Sequence, residues 1–460
     1  MFHSLCATTH CVVRLWIVAI SLPFYLCKDI AYETVKLRKQ AVPQCFLFGT
    51  YDRRSLTCKR ASERCNHSTG VNIRDNSCSA SDAGGSTARD AGRALARLAG
   101  SMSLQKSVKS AGSAGERGEA ADNASISSSA TTQPDRHGFF GGAQYSPEPK
   151  RSVSPSTVLK REQKWLRMLD NWEAFMSRNY KKVRERCRKG IPASVRPKAW
   201  LYLCGGQLLL EKHPHEYEEL LRAPGDPKCM DDIRKDLHRQ FPYHEMFIRE
   251  EGLGQQELFS VLKAYSVLNP KVGYFQAQAP VAAFLLMHMP AVQAFWCLVS
   301  ISDKYLSGYY NPGLEVLQRD GDILHALLRR TAPAVHRHLL RHKVEPVLYA
   351  TEWFLCALTR TLPWDSLLRV WDCFLCEGVK VLFKAALVIL AGALGPTRAR
   401  RRAAGLCETL ELLRHPPPAV LAEDYLLHHM QRLALTEDDF EFEHQRQTAR
   451  RRAMHERSGS

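Results

Sequence analysis

No G-x-x-x-x-G-K-[ST] run occurs in the 460 residues, and no G-x-G-x-x-G follows a strand pattern, so the chain has no recognisable nucleotide cradle of its own. Alternating apolar and polar residues of strand length are missing beyond residue 157, which excludes folds built on a sheet. Zinc chemistry lacks its spacing. Cys373 and Cys376 form a lone C-x-x-C, with no second pair or histidine ligand at zinc-finger distance, and no metal is expected. Basic clusters at 181–189, 398–402 and 450–452 lack interleaved aromatics, which argues against a nucleic-acid partner. Large hydrophobics are nearly absent from 79–156. That Ser/Ala/Gly-rich stretch cannot offset its own ordering entropy and reads as a disordered linker.

What is present is uneven. Apolar residues make up 45% of the chain, enough for at least one large core, and the net charge of +17 favours acidic partners, including peripheral contact with acidic membranes. Seven cysteines lie in residues 1–78, and eight are scattered among apolar neighbours further on, as buried free thiols of a cytosolic protein would be. The first segment therefore reads as a Cys-containing N-terminal extension. Its apolar run at 15–27 resembles a signal-peptide core and is too short to span a bilayer comfortably. It leaves membrane anchoring as a lesser alternative.

From residue 157 the pattern becomes helical. Trp165, Leu169, Trp172 and Met176 recur at three- and four-residue spacing, and further apolar periods carry Trp200 to Cys204, Val281 to Met289, Ala291 to Leu306, Ser366 to Leu375 and Val379 to Leu394. The expected fold is all-α: one domain over 157–436, in two helical lobes, followed over 437–460 by a charged C-terminal tail that begins as a helix.

Two short stretches carry candidate chemistry. In Ile233-Arg-Lys-Asp236-Leu-His-Arg239, the residues Ile233, Leu237 and Phe241 form a buried stripe on a helix closed by Pro242, with Arg239 at its polar edge and Asp236 close enough to pair with it. In Gly273-Tyr274-Phe-Gln276, the glycine permits a tight turn, the tyrosine offers an anchoring ring with a hydroxyl, and the glutamine stands just ahead of an apolar helix. Taken singly, these read first as a surface salt bridge and a helix cap. Together they suit one reaction. Hydrolysis of GTP needs a cation over the β and γ phosphates and an oriented water, and arginine and glutamine supply them.

These stretches belong to four ordered blocks that resemble the TBC-domain family of Rab GTPase-activating proteins over residues 190–378. Gly190-Ile-Pro-Ala-Ser-Val-Arg196-Pro-Lys-Ala-Trp200 resembles the opening R-x-x-x-W motif, 233–239 the I-x-x-D-x-x-R motif and 274–276 the Y-x-Q motif. Leu362-Pro363 and the run from Arg369 through Trp371-Asp372 to Gly378 resemble the closing block. Gln276 is followed by Ala277-Gln278-Ala279-Pro280 where many members have Gly-Met-Asn, and this run resembles the subgroup that includes carabin.

The resemblance implies a V-shaped TBC domain that binds a Rab-type small GTPase in its GTP state and accelerates GTP hydrolysis. Mg and GTP are carried by that partner, with no cofactor on this chain. It implies Arg239 as arginine finger and Gln276 as glutamine finger, supported by Asp236 and Tyr274, with Arg196, Trp200, Trp371 and Asp372 structural. Gln278 is a second nearby amide, which keeps open which glutamine faces the nucleotide. A non-catalytic helical adaptor for a small GTPase or a signalling partner is the alternative. The implied setting is cytoplasmic, in vesicle trafficking, with recruitment to membranes.

Overall fold

The computed structural model describes residues 133–142, 144–146 and 153–459. The Cys-containing extension over 1–78, its apolar run and most of the expected linker lie outside the described residues. Two groups of helices form the domain. The first comprises α1 (Pro155–Leu169), α2 (Trp172–Arg178), α3 (Tyr180–Lys189), α4 (Arg196–Cys204), α5 (Gly206–Lys212), α6 (Glu216–Arg222), α7 (Pro227–Leu237), α8 (Leu253–Leu268), α9 (Gln278–Leu286) and α10 (Ala291–Ser300). The second comprises α11 (Glu315–Thr331), α12 (Pro333–Arg341), α13 (Ala350–Leu355), α14 (Trp364–Glu377), α15 (Lys380–Leu394), α16 (Thr397–Arg402), α17 (Leu406–Arg414), α18 (Pro418–Leu421), α19 (Glu423–Arg432) and α20 (Glu437–Gly459). Among the described residues there is no strand, only an isolated antiparallel bridge between Phe139 and His244. No described helix is long and apolar enough to cross a membrane.

The most apolar helices are the most central, as helices without a polar face must be. Every residue of α9 is buried, and α8 and α10 pack on it. α14 joins the two groups by packing on both α3 and α4. At that junction Trp200 and Trp371 lie 5.7 Å apart between ring centroids, and Phe284 contacts Trp371 at 4.6 Å and Trp364 at 5.1 Å. Truncating one such aromatic costs roughly 3–5 kcal/mol.

The same junction holds a buried polar knot. Asp372 is fully buried and accepts from Arg196 Nε at 3.1 Å, Trp200 Nε1 at 2.9 Å and the Ile191 N–H at 2.8 Å, while Arg196 Nη2 donates to the Ile191 carbonyl at 2.6 Å. Burial pushes the Asp372 carboxyl above its ordinary range, opposed chiefly by Arg196. The R-x-x-x-W and Trp-Asp motifs, 172 residues apart between Trp200 and Asp372, thus form one structural unit.

Three expectations need correction. The α7 helix ends at Leu237 rather than running to Phe241, because Pro242 disfavours helical backbone in the residue before it, and Phe241 takes a φ of +43°. The stretch read as linker is not all free of structure: Phe139 is buried against the domain, and α1 begins at Pro155. The charged C-terminal helix expected to fade into a tail instead stays helical to Gly459 as α20, docked on α11. Arg330 meets Asp439 at 2.7 Å, Arg451 meets Asp322 at 2.5 Å, and Phe440 packs on Phe383. These are tertiary pairings that a helix with little amphipathic pattern does not announce.

Candidate functional site

α7 begins with a favourable cap. Asp226 accepts from the Cys229 N–H at 3.1 Å and Pro227 occupies the first turn. The helix buries Met230, Ile233 and Asp236, and stops at Leu237. Arg239 therefore stands in the turn beyond the helix rather than on its side, with its side chain one-third exposed. Gln240, next in sequence, is buried and donates to the Asp236 carbonyl at 2.9 Å, which ties this turn back to the helix end.

The second element is the turn entering α9. Gly273 has a φ of +61°, and its N–H bonds to the Asn269 carbonyl at 2.8 Å, which closes the turn after α8 and leads Tyr274 back toward α7. Tyr274 Oη donates to Asp236 Oδ2 at 2.6 Å, and Asp236 Oδ1 pairs with Arg239 Nη2. One buried carboxylate is thus shared between the tyrosine and the arginine. Burial raises the Asp236 carboxyl above its usual range, and the Tyr274 hydroxyl and Arg239 pull against that shift. Burial followed by the Asp236 charge raises Tyr274, which keeps its phenol protonated as a donor.

Gln276 completes the arrangement. Its side-chain amide abuts the Arg239 guanidinium, and with the oxygen turned toward it accepts from Nη2 and, at 3.3 Å, from Nη1. Arg239 and Gln276, 37 positions apart in sequence (276 − 239), present their functional groups side by side. Gln278 points the other way. It is fully buried in the first turn of α9, where its Oε1 accepts from the Phe275 N–H at 3.0 Å and so braces the turn carrying Gln276.

The four residues Asp236, Arg239, Tyr274 and Gln276 are brought together, while Arg196, Trp200, Trp371 and Asp372 form the separate buried knot. The sequence pattern did not indicate Phe139 or the backbone conformation of Phe241. Phe241 leaves the expected helix at positive φ, and Phe139 packs beside it at 6.3 Å. The His137-Gly138-Phe139-Phe140 cluster was the available signal: two aromatics in a stretch otherwise poor in them. Among the described residues, no group of three or more His, Cys, Asp or Glu is arranged to hold a metal.

An all-α domain with an arginine and a glutamine supplied by two neighbouring turns, and no nucleotide loop of its own, defines the class. Residues 193–392 match the family model of the Rab-GTPase-TBC domain. TBC1 domain family member whacked of Drosophila melanogaster is 57% identical over 330 residues, covering 72% of this chain and 91% of its own length. Human TBC1 domain family member 10B is 55% identical over 315 residues, 68% of this chain but only 39% of its own length. Mouse carabin is 49% identical over 307 residues, covering 66% of this chain and 68% of its own. Among solved structures, the Chlamydomonas flagellar RabGAP TBC domain shares the fold, with a TM-score of 0.50 at 23% identity, over 65% of this chain and 99% of that one. The chain belongs to the Rab-GTPase-TBC domain family, and its relatives include the carabin subgroup indicated by the run after Gln276.

Proposed function

We propose that this chain accelerates GTP hydrolysis by a Rab-type small GTPase, inserting Arg239 over the phosphates and using Gln276 to orient the attacking water. The observation that carries this reading is the pairing of the Arg239 guanidinium with the Gln276 amide on a base formed by Asp236 and Tyr274. Charge builds on the leaving phosphate oxygens as the γ-phosphoryl transfers, and a guanidinium that cannot lose its proton offsets it. An amide both donates and accepts, so one side chain can hold a phosphate oxygen and a water together. Asp236 braces Arg239, whose side chain is one-third exposed, and in this reading the Gln276 contact gives way when phosphate engages the guanidinium. Fixing these groups before the partner arrives lowers the ordering cost of the transition state.

In this reading the partner arrives in its GTP state and brings both nucleotide and Mg, since the chain has no P-loop pattern. Cytoplasmic residence and a role in vesicle trafficking follow from the same reading. Exposed arginines at 401–402 and 450 would favour recruitment to acidic membranes. Single-turnover hydrolysis across a panel of GTP-loaded Rab proteins tests the assignment. At least one Rab should be accelerated by the wild type, with Arg239→Ala losing roughly a thousandfold or more of that effect. Wild type and Arg239→Ala equally ineffective on every Rab would leave the chain a binding adaptor.

A further inference from the structure

The turn that carries Arg239 is tied to the end of α7 through Gln240, but its far side is held in a strained conformation. Phe241, two residues on, has a φ of +43°, a conformation that costs a non-glycine residue on the order of 1–3 kcal/mol and persists only where surrounding structure imposes it. Part of that surrounding structure comes from the segment ahead of α1. The Phe139 ring is buried, 4.8 Å from both Trp364 and His244 and 6.3 Å from Phe241, while Phe241 itself lies 6.0 Å from Trp364. Phe241 is thus wedged between an aromatic of α14 and one from the segment ahead of α1.

The backbone is pinned as well. The Phe140 N–H donates to the Tyr243 carbonyl at 2.8 Å, the Glu245 N–H donates to the Gly138 carbonyl at 2.9 Å, and His244 Nε2 meets the His137 carbonyl at 2.9 Å. The approach is too close for a side chain at Gly138, where an added Cβ would stand 2.8 Å from both Glu245 and His244, at a φ of +87°. The segment has its own anchors. Arg136 Nη2 reaches both Asp365 oxygens at 2.6 and 2.7 Å, and Asp135 accepts from the N–H groups of His137, Phe139 and Ser146. Asp365 lies in the first turn of α14, beside Trp364.

We propose that residues 135–142 form a strap that positions the Arg239 turn, with Phe139 as a positioning residue acting through Phe241. The inference rests on Arg239 acting as the arginine finger. Removing the strap frees Phe241 to relax toward ordinary backbone angles, and Arg239 moves with it. Because the displaced group acts on the transition state, the maximal rate falls while the affinity for the GTPase is kept.

The test uses the full chain and a responsive GTP-loaded Rab, with single-turnover rates measured over a range of activator concentrations. Phe139→Ala should lower the maximal rate roughly tenfold to a hundredfold with the half-saturating concentration within about twofold, and Phe139→Leu should keep most of the rate. Combining Phe139→Ala with Arg239→Ala should give no further loss beyond Arg239→Ala alone. Arg136→Gln loosens the strap without leaving a cavity. It should lower the rate in the same direction and speed hydrogen exchange at the Glu245 amide, so the idea stays testable if Phe139→Ala folds poorly. Wild-type maximal rates in both strap variants, alongside an impaired Arg239→Ala, would overturn the strap and leave the finger standing. Losses from Phe139 and Arg239 that multiply in the combined variant would show only a general loss of structure. A fully active Arg239→Ala would sink both assignments.

Discussion

Tyr274 Oη donates to Asp236 Oδ2 at 2.6 Å while the other oxygen of the same carboxylate pairs with Arg239, so a residue of the second turn fixes the arginine of the first. Tyr274→Phe keeps the ring and removes only this donor. A buried carboxylate then loses one partner, which should cost about 1.5–3 kcal/mol of stability. Urea unfolding measures that loss. Single-turnover rates should fall in parallel with retained GTPase affinity, because Asp236 is freer to turn away from Arg239.

The two glutamines of the Gln276-Ala277-Gln278 run should separate cleanly. Gln276→Ala removes a partly exposed amide at the site and should leave stability within about 0.5 kcal/mol while the activation falls. Gln278→Ala removes a fully buried side chain that accepts the Phe275 N–H, and should destabilise by about 1–3 kcal/mol. Denaturation midpoints set beside hydrolysis rates for both variants check this. A stable, inactive Gln278→Ala would reverse the two roles.

Both helical groups meet at Asp372, and its knot predicts a large stability effect. Asp372→Ala leaves Arg196 charged and half-satisfied in a buried site and removes the acceptor of Trp200 Nε1. Loss of one partner of a buried pair typically costs about 3–5 kcal/mol. Asp372→Asn should cost less, since it keeps an acceptor oxygen. Chemical denaturation of the two variants ranks them.

Much of this was readable from the residues. Apolar spacing gave the helices around Trp200, Val281 and Val379 because each buries a continuous stripe, a property local to the chain. The Arg239 and Gln276 turns carried their own punctuation in Pro242 and Gly273. The orientation of Gln278 was not readable, since two amides two residues apart differ only in which side of a helix start they occupy. The burial of Phe139 was hidden for another reason: its partners Trp364, Phe241 and His244 lie about a hundred or more residues away, and its own neighbourhood has the composition of a linker. Docking of α20 on α11 was equally invisible, being set by ion pairs between distant segments.

Two buried histidines should make stability fall in mild acid. His288, packed against Trp364 and Trp200 with Nε2 unpartnered, is driven by burial from its ordinary value to about 3, and His325 to about 4. Their folded pKa values lie below the unfolded value, so the unfolded chain binds more protons and stability falls as pH drops below about 6.5. Each group contributes a slope approaching about 1.4 kcal/mol per pH unit. The raised carboxyls of Asp236 and Asp372 act in the opposite sense, so the histidine share is read as the difference in stability slope between wild type and a histidine variant from pH 6.5 to 5. His288→Phe should flatten that slope.

The central claim is that arginine and glutamine both come from this chain. The direct measurement is single-turnover GTP hydrolysis by a responsive Rab whose own catalytic glutamine has been replaced, with wild type, Gln276→Ala and Arg239→Ala added in turn. The account predicts that the wild type still accelerates this crippled GTPase and that neither variant does. No acceleration by the wild type, or equal acceleration by Gln276→Ala, would contradict it.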